Sequence, residues 1–454
     1  MSDLVNITRI DTRRDQVRAA VEMLRSQLSP QGDVVSAAGR QRTIAVFGEP
    51  LTPQQVVNRI CKEVRDDGLA SVLRYTKLLD DVEITAQTLR VGEDELAAAH
   101  AAAHGDFLDS LRRIRDNIRE FQTAILHQDV TVTREQGVVL SQRYTPLQRA
   151  GLCIPGGAAA YPSTVLMTAV PAQTAGVNQI AVVAPPTAFG SNNADILATC
   201  YELGITEVYR MGGAQAVAAL AYGLENVAAV DIIVGPGNMF VALAKQLVYG
   251  KVKIDSIAGP SEVVIIADET SRPEFVAADL LAQAEHAPGA SILVTWDEQI
   301  LNETYTQINQ QLAELPRQSL TRQSLEDFGA LILVKDEDEA VEITNLLAPE
   351  HLHIAVSEPH LLQSRLTTAG ATFLGNYSPV AVGDYFAGPS HTLPTSGTAR
   401  WASGLTANDF IRSGSVIEFT RSALQEAAAD VQQLADKEGL TAHRHSIDIR
   451  LSSS

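Results

Sequence analysis

Four groups of side chains in the second half of the chain have the types and spacing to do chemistry. Gln283 and His286, in QAEH, stand three apart, so on a helix they share one face and could hold a metal ion together. The same spacing fits a capped or solvated helix end. Glu350 and His351 are adjacent and follow Pro349. Neighbouring side chains diverge by about 100° on a helix and point to opposite faces on a strand. This pair can therefore meet one substrate only from a turn, and Pro349 favours a turn by disfavouring helix at Ala348. A carboxylate beside an imidazole supplies the two tunable bases that successive proton transfers require, although a hydrogen-bonded helix terminus would use the same residues. Asp384 and His391 lie in a stretch rich in Gly, Pro, Ser and Thr, and Glu438, His443 and His445 lie near the end of the chain. A carboxylate and imidazoles from such separated segments could complete a site begun by His286.

The elements that must position these residues read as two α/β units in tandem. In the first, apolar strands over 179–186, 207–212 and 231–238 alternate with helices, including 213–223 and 239–249. In the second, strands over 261–268, 291–297, 330–336 and 353–358 alternate with helices over 272–285, 298–314 and 338–348. Continuous apolar strands between helices imply parallel sheets covered on both faces. Neither unit carries GxGxxG after a strand, so patterning alone does not point to a dinucleotide. Upstream, Val17, Val21, Leu24 and Leu28 predict an amphipathic helix over 11–28, residues 29–44 a linker, and 53–79 and 93–127 helical blocks. The four arginines of the last block, Arg112, Arg113, Arg115 and Arg119, fit a solvated face better than a phosphate site. Residues 383–404 predict a long loop, unusual enough in a compact protein to suggest function. A helix over 422–438 and an extended polar tail over 439–450 end the pattern.

Composition narrows the function classes. Against 35 Lys and Arg stand 54 Asp and Glu in 454 residues, a formal charge of −19 that repels nucleic acid and anionic membrane surfaces. An acidic protein can still bind an anionic cofactor through helix N-termini. Cys61, Cys153 and Cys200 form no CxxC pair and fit a reducing cytoplasm better than a disulfide framework. The run from Ala150 to Ala194 has no charge, but Pro155, Pro162, Pro171 and several glycines break every window long enough to span a bilayer. It predicts buried protein, with Gly156 and Gly157 able to bring backbone close to a ligand.

That run, GLCIPGGAAAYPSTVLM, resembles the signature of histidinol dehydrogenases, which oxidise L-histidinol through L-histidinal to L-histidine with two NAD in the last steps of histidine biosynthesis. GGAQAVAALAYG, GPGN, IDSIAGPSEVVIIAD, LLAQAEH, APEHL, GPSHTLPTSGTAR and LTAH extend the resemblance from about residue 10 to residue 450. It implies one zinc ion per subunit, held by Gln283, His286, Asp384 and His443. It further implies substrate contacts from Ser261, His351 and Glu438 with those ligands, Glu350 and His351 as the catalytic pair, and NAD contacts from Gln215 and Asn238. Cys153 stands where the family commonly has tyrosine in contact with the dinucleotide. A cytoplasmic homodimer whose tails cross, bringing Glu438 and His443 to the partner's site, is also implied.

The expected fold is α/β, with two Rossmann-like parallel-sheet domains in tandem and helical N-terminal and C-terminal arms. Its expected divisions are an arm over 1–45, a discontinuous first domain over 46–150 and 261–382, a second, NAD-side domain over 151–260, and a loop and dimerising tail over 383–454. Two other readings have a basis in the residues. Alcohol-to-acid oxidation can pass through a cysteine thiohemiacetal, for which Cys153 is placed. A noncatalytic binding protein with its ligand between two α/β units would suit the missing GxGxxG, but would leave Glu350 and His351 without a purpose.

Overall fold

In the computed structural model, whose described residues are 4–14, 21–22, 24, 37–157, 159–257, 259–286 and 288–452, two parallel sheets form the body of the protein. The five-stranded sheet runs Glu207–Arg210, Gln179–Ala184, Arg149–Cys153, Ile232–Val234, Lys253–Ile254. Its central strand comes first in sequence. The next two strands build one side and the last two the other, so the strand order reverses beside Arg149–Cys153. The six-stranded sheet runs Thr8–Asp11, Ala330–Leu333, Gly289–Thr295, Ser261–Ala267, His351–Ala355, Ala371–Leu374. Here the order reverses between Ser261–Ala267 and His351–Ala355. Both central strands are buried on both faces, which is why they read as uninterrupted apolar runs.

The expected divisions need three corrections. Residues 53–125 do not belong with the six-stranded sheet: Val56, Val57, Ile60, Cys61 and Val64 of helix Pro53–Asp67 share a core with the alanine-rich helix Gly213–Tyr222. Small alanines let the two helices approach closely, and the segment after them hydrogen-bonds to edge strand Glu207–Arg210 through Val91 N–H to Val208 O (2.8 Å). The N-terminal arm is not outside the domains, since Thr8–Asp11 pairs with Ala330–Leu333. The linker expected over 29–44 gives way to a helix at Ala37–Phe47. Most of the helix expected over 11–28, and the rest of that linker, lie outside the described residues, although Val21 and Leu24 are buried in the six-stranded core.

Two helical blocks are each split. Gly68 adopts φ +63° between Pro53–Asp67 and Leu69–Asp80, and Ala103 and His104 are extended between Glu93–Ala102 and Gly105–Ile125. A third sheet, antiparallel, joins Ile411–Glu418, Val138–Pro146 and Val130–Arg134. The tail is not extended: Thr441–Ser452 is a helix folded back on helix Arg421–Lys437, with Arg444 ion-paired to Asp436 and Gln432 hydrogen-bonded to Asp448.

Candidate active site

At the carboxyl ends of the five-stranded sheet lies a cavity of about 690 Å³. Three helices begin at its wall, just after Tyr161, Gly212 and Asn238, so their positive dipole ends point toward it. Gly212 and Gly156 are held glycine by close backbone packing: a Cβ on either would stand within 3 Å of Pro185. Gln215, 1% exposed, has an Oε1 with no hydrogen-bond partner, an acceptor that a ligand donor would satisfy. Asn238 caps the helix at Met239 by accepting from the N–H groups of Phe240 and Val241 (3.0 and 3.2 Å), which leaves its amide N–H2 for other partners. Cys153 ends the central strand at the cavity wall. Burial pushes its thiol up to about 12, the wrong direction for a thiolate nucleophile.

A second, charge-dense cluster lies at the opposite kind of place, the amino ends of the six-stranded sheet. Helix Glu337–Leu347 stops where Ala348 turns left-handed (φ +50°), and Pro349 and Glu350 lead into strand His351–Ala355. The turn expected at this pair is present. His351, 2% exposed, donates from Nδ1 to the carbonyl of Glu262 (3.2 Å), which leaves Nε2 facing Asp384 Oδ1 at 3.6 Å. Nε2 is therefore the nitrogen that can take a proton. Burial pulls this imidazole down, but Glu350, with Oε2 3.6 Å from Nδ1, and Asp384 outweigh it and raise its pKa to about 9. Glu350 is raised to about 7, by burial first and by Asp384, against the opposing pull of His351.

Gln283 and His286 come from the end of helix Pro273–Ala284, where the chain turns toward strand Gly289–Thr295. Gln283 is buried with one amide atom unpartnered, and the His286 imidazole is exposed within electrostatic reach of Asp384 and His351. Amide oxygen and nitrogen exchange by a flip, so the orphaned Gln283 atom serves equally as a metal-facing oxygen. An amide oxygen, an imidazole and a carboxylate are a donor set suited to zinc. His391 accompanies them: its Nδ1 donates to the Asp384 carbonyl (3.0 Å) and its Nε2 lies 3.3 Å from Thr164 Oγ1. That contact ties the cluster to helix Pro162–Thr174, whose N-cap residue Tyr161 lines the cavity.

A family model for histidinol dehydrogenase matches residues 50–451. The chain belongs to the histidinol dehydrogenase family. It is similar to the histidinol dehydrogenase of Rhodopirellula baltica, 59% identical over 98% of this chain and 97% of that one. The corresponding protein of Thermosynechococcus vestitus is 47% identical over 89% and 94%. A crystal structure of histidinol dehydrogenase from Elizabethkingia anophelis superposes with a TM-score of 0.87 at 34% identity, covering 99% of each chain. Membership makes the protein an oxidoreductase of histidine biosynthesis and removes the noncatalytic reading.

Of the histidinol dehydrogenase residues expected from the sequence, Ser261, His286, Glu350, His351 and Asp384 meet in the charged cluster, Gln283 lies buried one turn before His286, and Cys153, Gln215 and Asn238 meet at the cavity. Glu438 and His443 do not join them. They are exposed on the C-terminal helical hairpin, and no group of three His, Cys, Asp or Glu among the described residues is placed to hold a metal. Sequence reasoning missed Glu262, which touches both Glu350 and His351. Its signal was available: a carboxylate second in the buried run SEVVIIAD. The arginines expected on a solvated face partly form a network, with Arg112 and Arg115 paired to Glu202.

Proposed function

We propose that the protein oxidises L-histidinol to L-histidine with two NAD and one zinc ion per subunit, at a site completed by a second copy of the chain. The observation that carries this reading is the buried pair Glu350 and His351, faced by half-buried Asp384, near a cavity walled by three helix N-termini. The cavity would take NAD, with Gln215 Oε1 and the Asn238 amide as polar contacts and the helix ends facing the pyrophosphate. Zinc would be held by Gln283, His286 and Asp384, with His443 from the second copy. When bound, it supplies a template that orients the substrate's nitrogens, having no redox chemistry of its own.

The residues then divide the work. With a zinc ion on Asp384 offsetting the carboxylates that hold the imidazole protonated, His351 would take the hydroxyl proton at Nε2 as hydride leaves the substrate carbon. Glu350 takes a proton from water as its oxygen adds to the aldehyde carbon, and His351 takes a second hydroxyl proton from the resulting hydrate as the second hydride leaves. Ser261 and Glu438 would orient the substrate. For dimerisation, the antiparallel sheet and hairpin expose Val130, Val132, Val416, Ile417, Leu434 and Leu440, an apolar surface suited to burial against a twin. A cytoplasmic setting agrees with three buried free cysteines, and no helix among the described residues is long and apolar enough to cross a membrane. The test is NADH absorbance from zinc-loaded protein given L-histidinol and NAD. Two NADH per histidinol are expected, and none would overturn the reading.

A further inference from the structure

The side chain of Glu262 is unaccounted for by the reaction. It is 4% exposed, lies second in strand Ser261–Ala267 and cannot reach solvent to be hydrated. A carboxyl so placed is costly to bury, so its partners should be informative. Glu262 and Glu350 clasp each other reciprocally: Glu262 N–H donates to Glu350 Oε2 (2.9 Å), and Glu350 N–H donates to Glu262 Oε1 (3.2 Å). The rest of the Glu262 carboxyl faces the backbone N–H groups of Ser396 and Gly397. Both are left-handed, with φ +57° and +71°. Serine is uncommon in that region, so the turn is one its surroundings must hold. Successive N–H groups in such a turn form an anion-binding nest, here filled by a side chain of the same protein. The neighbouring Thr395 hydroxyl also accepts from Gly259 N–H just before the strand.

We infer that Glu262 is a positioning residue for the water-activating carboxylate: its side chain fixes the Glu350 backbone and locks the Thr395–Gly397 turn against it. The inference rests on the reading of Glu350 as the base that activates water. The Glu262 N–H aims Glu350 Oε2, and the Ser261 side chain adds a second hydrogen bond to the same carboxyl. Electrostatics adds to this. Burial and the neighbouring Glu350 raise Glu262 to about 8, and Glu350 stands at about 7, so the pair resists carrying two charges near neutrality. The groups facing the pair are His351 and Asp384, the Ser261 side chain, and the Ser396 and Gly397 amides.

The test follows the two NADH phases of a single histidinol turnover by stopped flow in zinc-loaded enzyme, across pH. In wild type the second phase should fall at acid pH, because Glu350 must be ionised to accept a proton from water. Glu262→Gln keeps the shape but replaces one carboxyl oxygen by an N–H2 that cannot accept from the facing amides, and should slow the second phase about tenfold while slowing the first less than about threefold. Equal slowing of both phases would reduce Glu262 to a structural role and overturn the inference. Should Glu262→Gln fail to fold or to hold zinc, Glu262→Asp keeps the carboxyl but is too short for all three amides. It should slow the second phase selectively, and equal slowing would again be fatal. Glu350→Gln separates this from the parent reading. If that variant has a normal second phase, the role of Glu350 is wrong. If it is slow while Glu262→Gln matches wild type in both phases, only the role of Glu262 is wrong.

Discussion

The two sheets share an architecture and use opposite ends of it. In the five-stranded sheet the cavity lies past the carboxyl ends of the strands, where Pro162–Thr174, Gly213–Tyr222 and Met239–Val248 begin, in the crevice where the strand order reverses. In the six-stranded sheet the cluster lies at the amino ends, at Ser261 and His351, where Pro273–Ala284 and Glu337–Leu347 finish. Each helix carries roughly half a positive charge at its start and half a negative charge at its end. One site is therefore biased toward an anion such as a pyrophosphate and the other toward a cation or a protonated imidazole. An acidic chain can thus present a locally positive surface to an anion without GxGxxG and without a basic patch. The two places differ also in what reaches them: Cys153, Gln215 and Asn238 line the cavity, while Glu438 and His443 stand away from the cluster.

The largest effect should come from the metal. Chelation of zinc should cut histidinol oxidation by at least about 10³-fold, since several kcal/mol of substrate orientation is lost, and zinc should restore it. Calorimetry should show NAD binding changed by less than about twofold in the same sample, because the cavity uses none of the proposed metal ligands. Full activity in metal-free protein would remove the metal assignment, and joint loss of NAD binding would show that the two sites are not separate.

Next comes completeness. His286→Ala and His443→Ala should each abolish activity, since each removes a ligand from both sites of its own dimer. Mixed with subunit exchange, they form heterodimers in which one site carries both defects and the other neither. Activity should return to as much as half of wild type per heterodimer. Exchange confirmed by mass with no activity regained would place both ligands in one chain. The hairpin gives this prediction its physical sense. Thr441–Ser452 is fixed on Arg421–Lys437 rather than free, so little ordering entropy remains to oppose presenting His443 to a partner.

How much of this was legible depended on burial. The central strands and their helices, such as 261–268 and 272–285, could be read because apolar runs and helical periods survive when both faces are packed. The antiparallel sheet could not: every residue of Val130–Arg134 is exposed, so its VTVTR pattern carries no core-facing signal. The tail misread as extended is a helix held by polar pairs such as Arg444 with Asp436, which apolar periodicity does not report. Domain assignment failed at 53–125 because chain order says nothing about which sheet an intervening helical layer covers. In the site, spacing raised Gln283 with His286 and Glu350 with His351, but resemblance alone joined them. Glu262 was passed over within an apolar run, where a carboxylate should itself have been a question.

A smaller effect tests the cavity alone. Gln215→Ala should raise the KM for NAD about tenfold, the worth of one good hydrogen bond to a buried acceptor, and leave zinc content and the KM for histidinol near wild type. Steady-state kinetics with each substrate varied separates these. A change confined to histidinol would mean that Gln215 serves the charged cluster instead.

The smallest effect should be at Cys153, and it decides whether the cavity holds any reacting protein atom. A covalent route through a thiohemiacetal needs a thiolate. Burial at the end of strand Arg149–Cys153 keeps the proton on this sulfur, with a pKa of about 12, and the nearby Lys245 lowers it too little to matter because Asp255, ion-paired to that lysine, opposes it. Cys153→Ser should therefore keep activity within about threefold, while the buried hydroxyl costs about 1–2 kcal/mol of stability if it finds no acceptor. Cys153→Tyr installs the residue common in the family and offers an aromatic face to the dinucleotide at the cavity wall. It should lower the Kd for NAD by about twofold to fivefold, the scale of one aromatic contact. A serine variant that folds, binds zinc and NAD, and yet is inactive would put the chemistry in the cavity and erase the division of labour between the two sheet ends. A fully active one leaves every proton transfer to Glu350 and His351, at the amino ends of the six-stranded sheet.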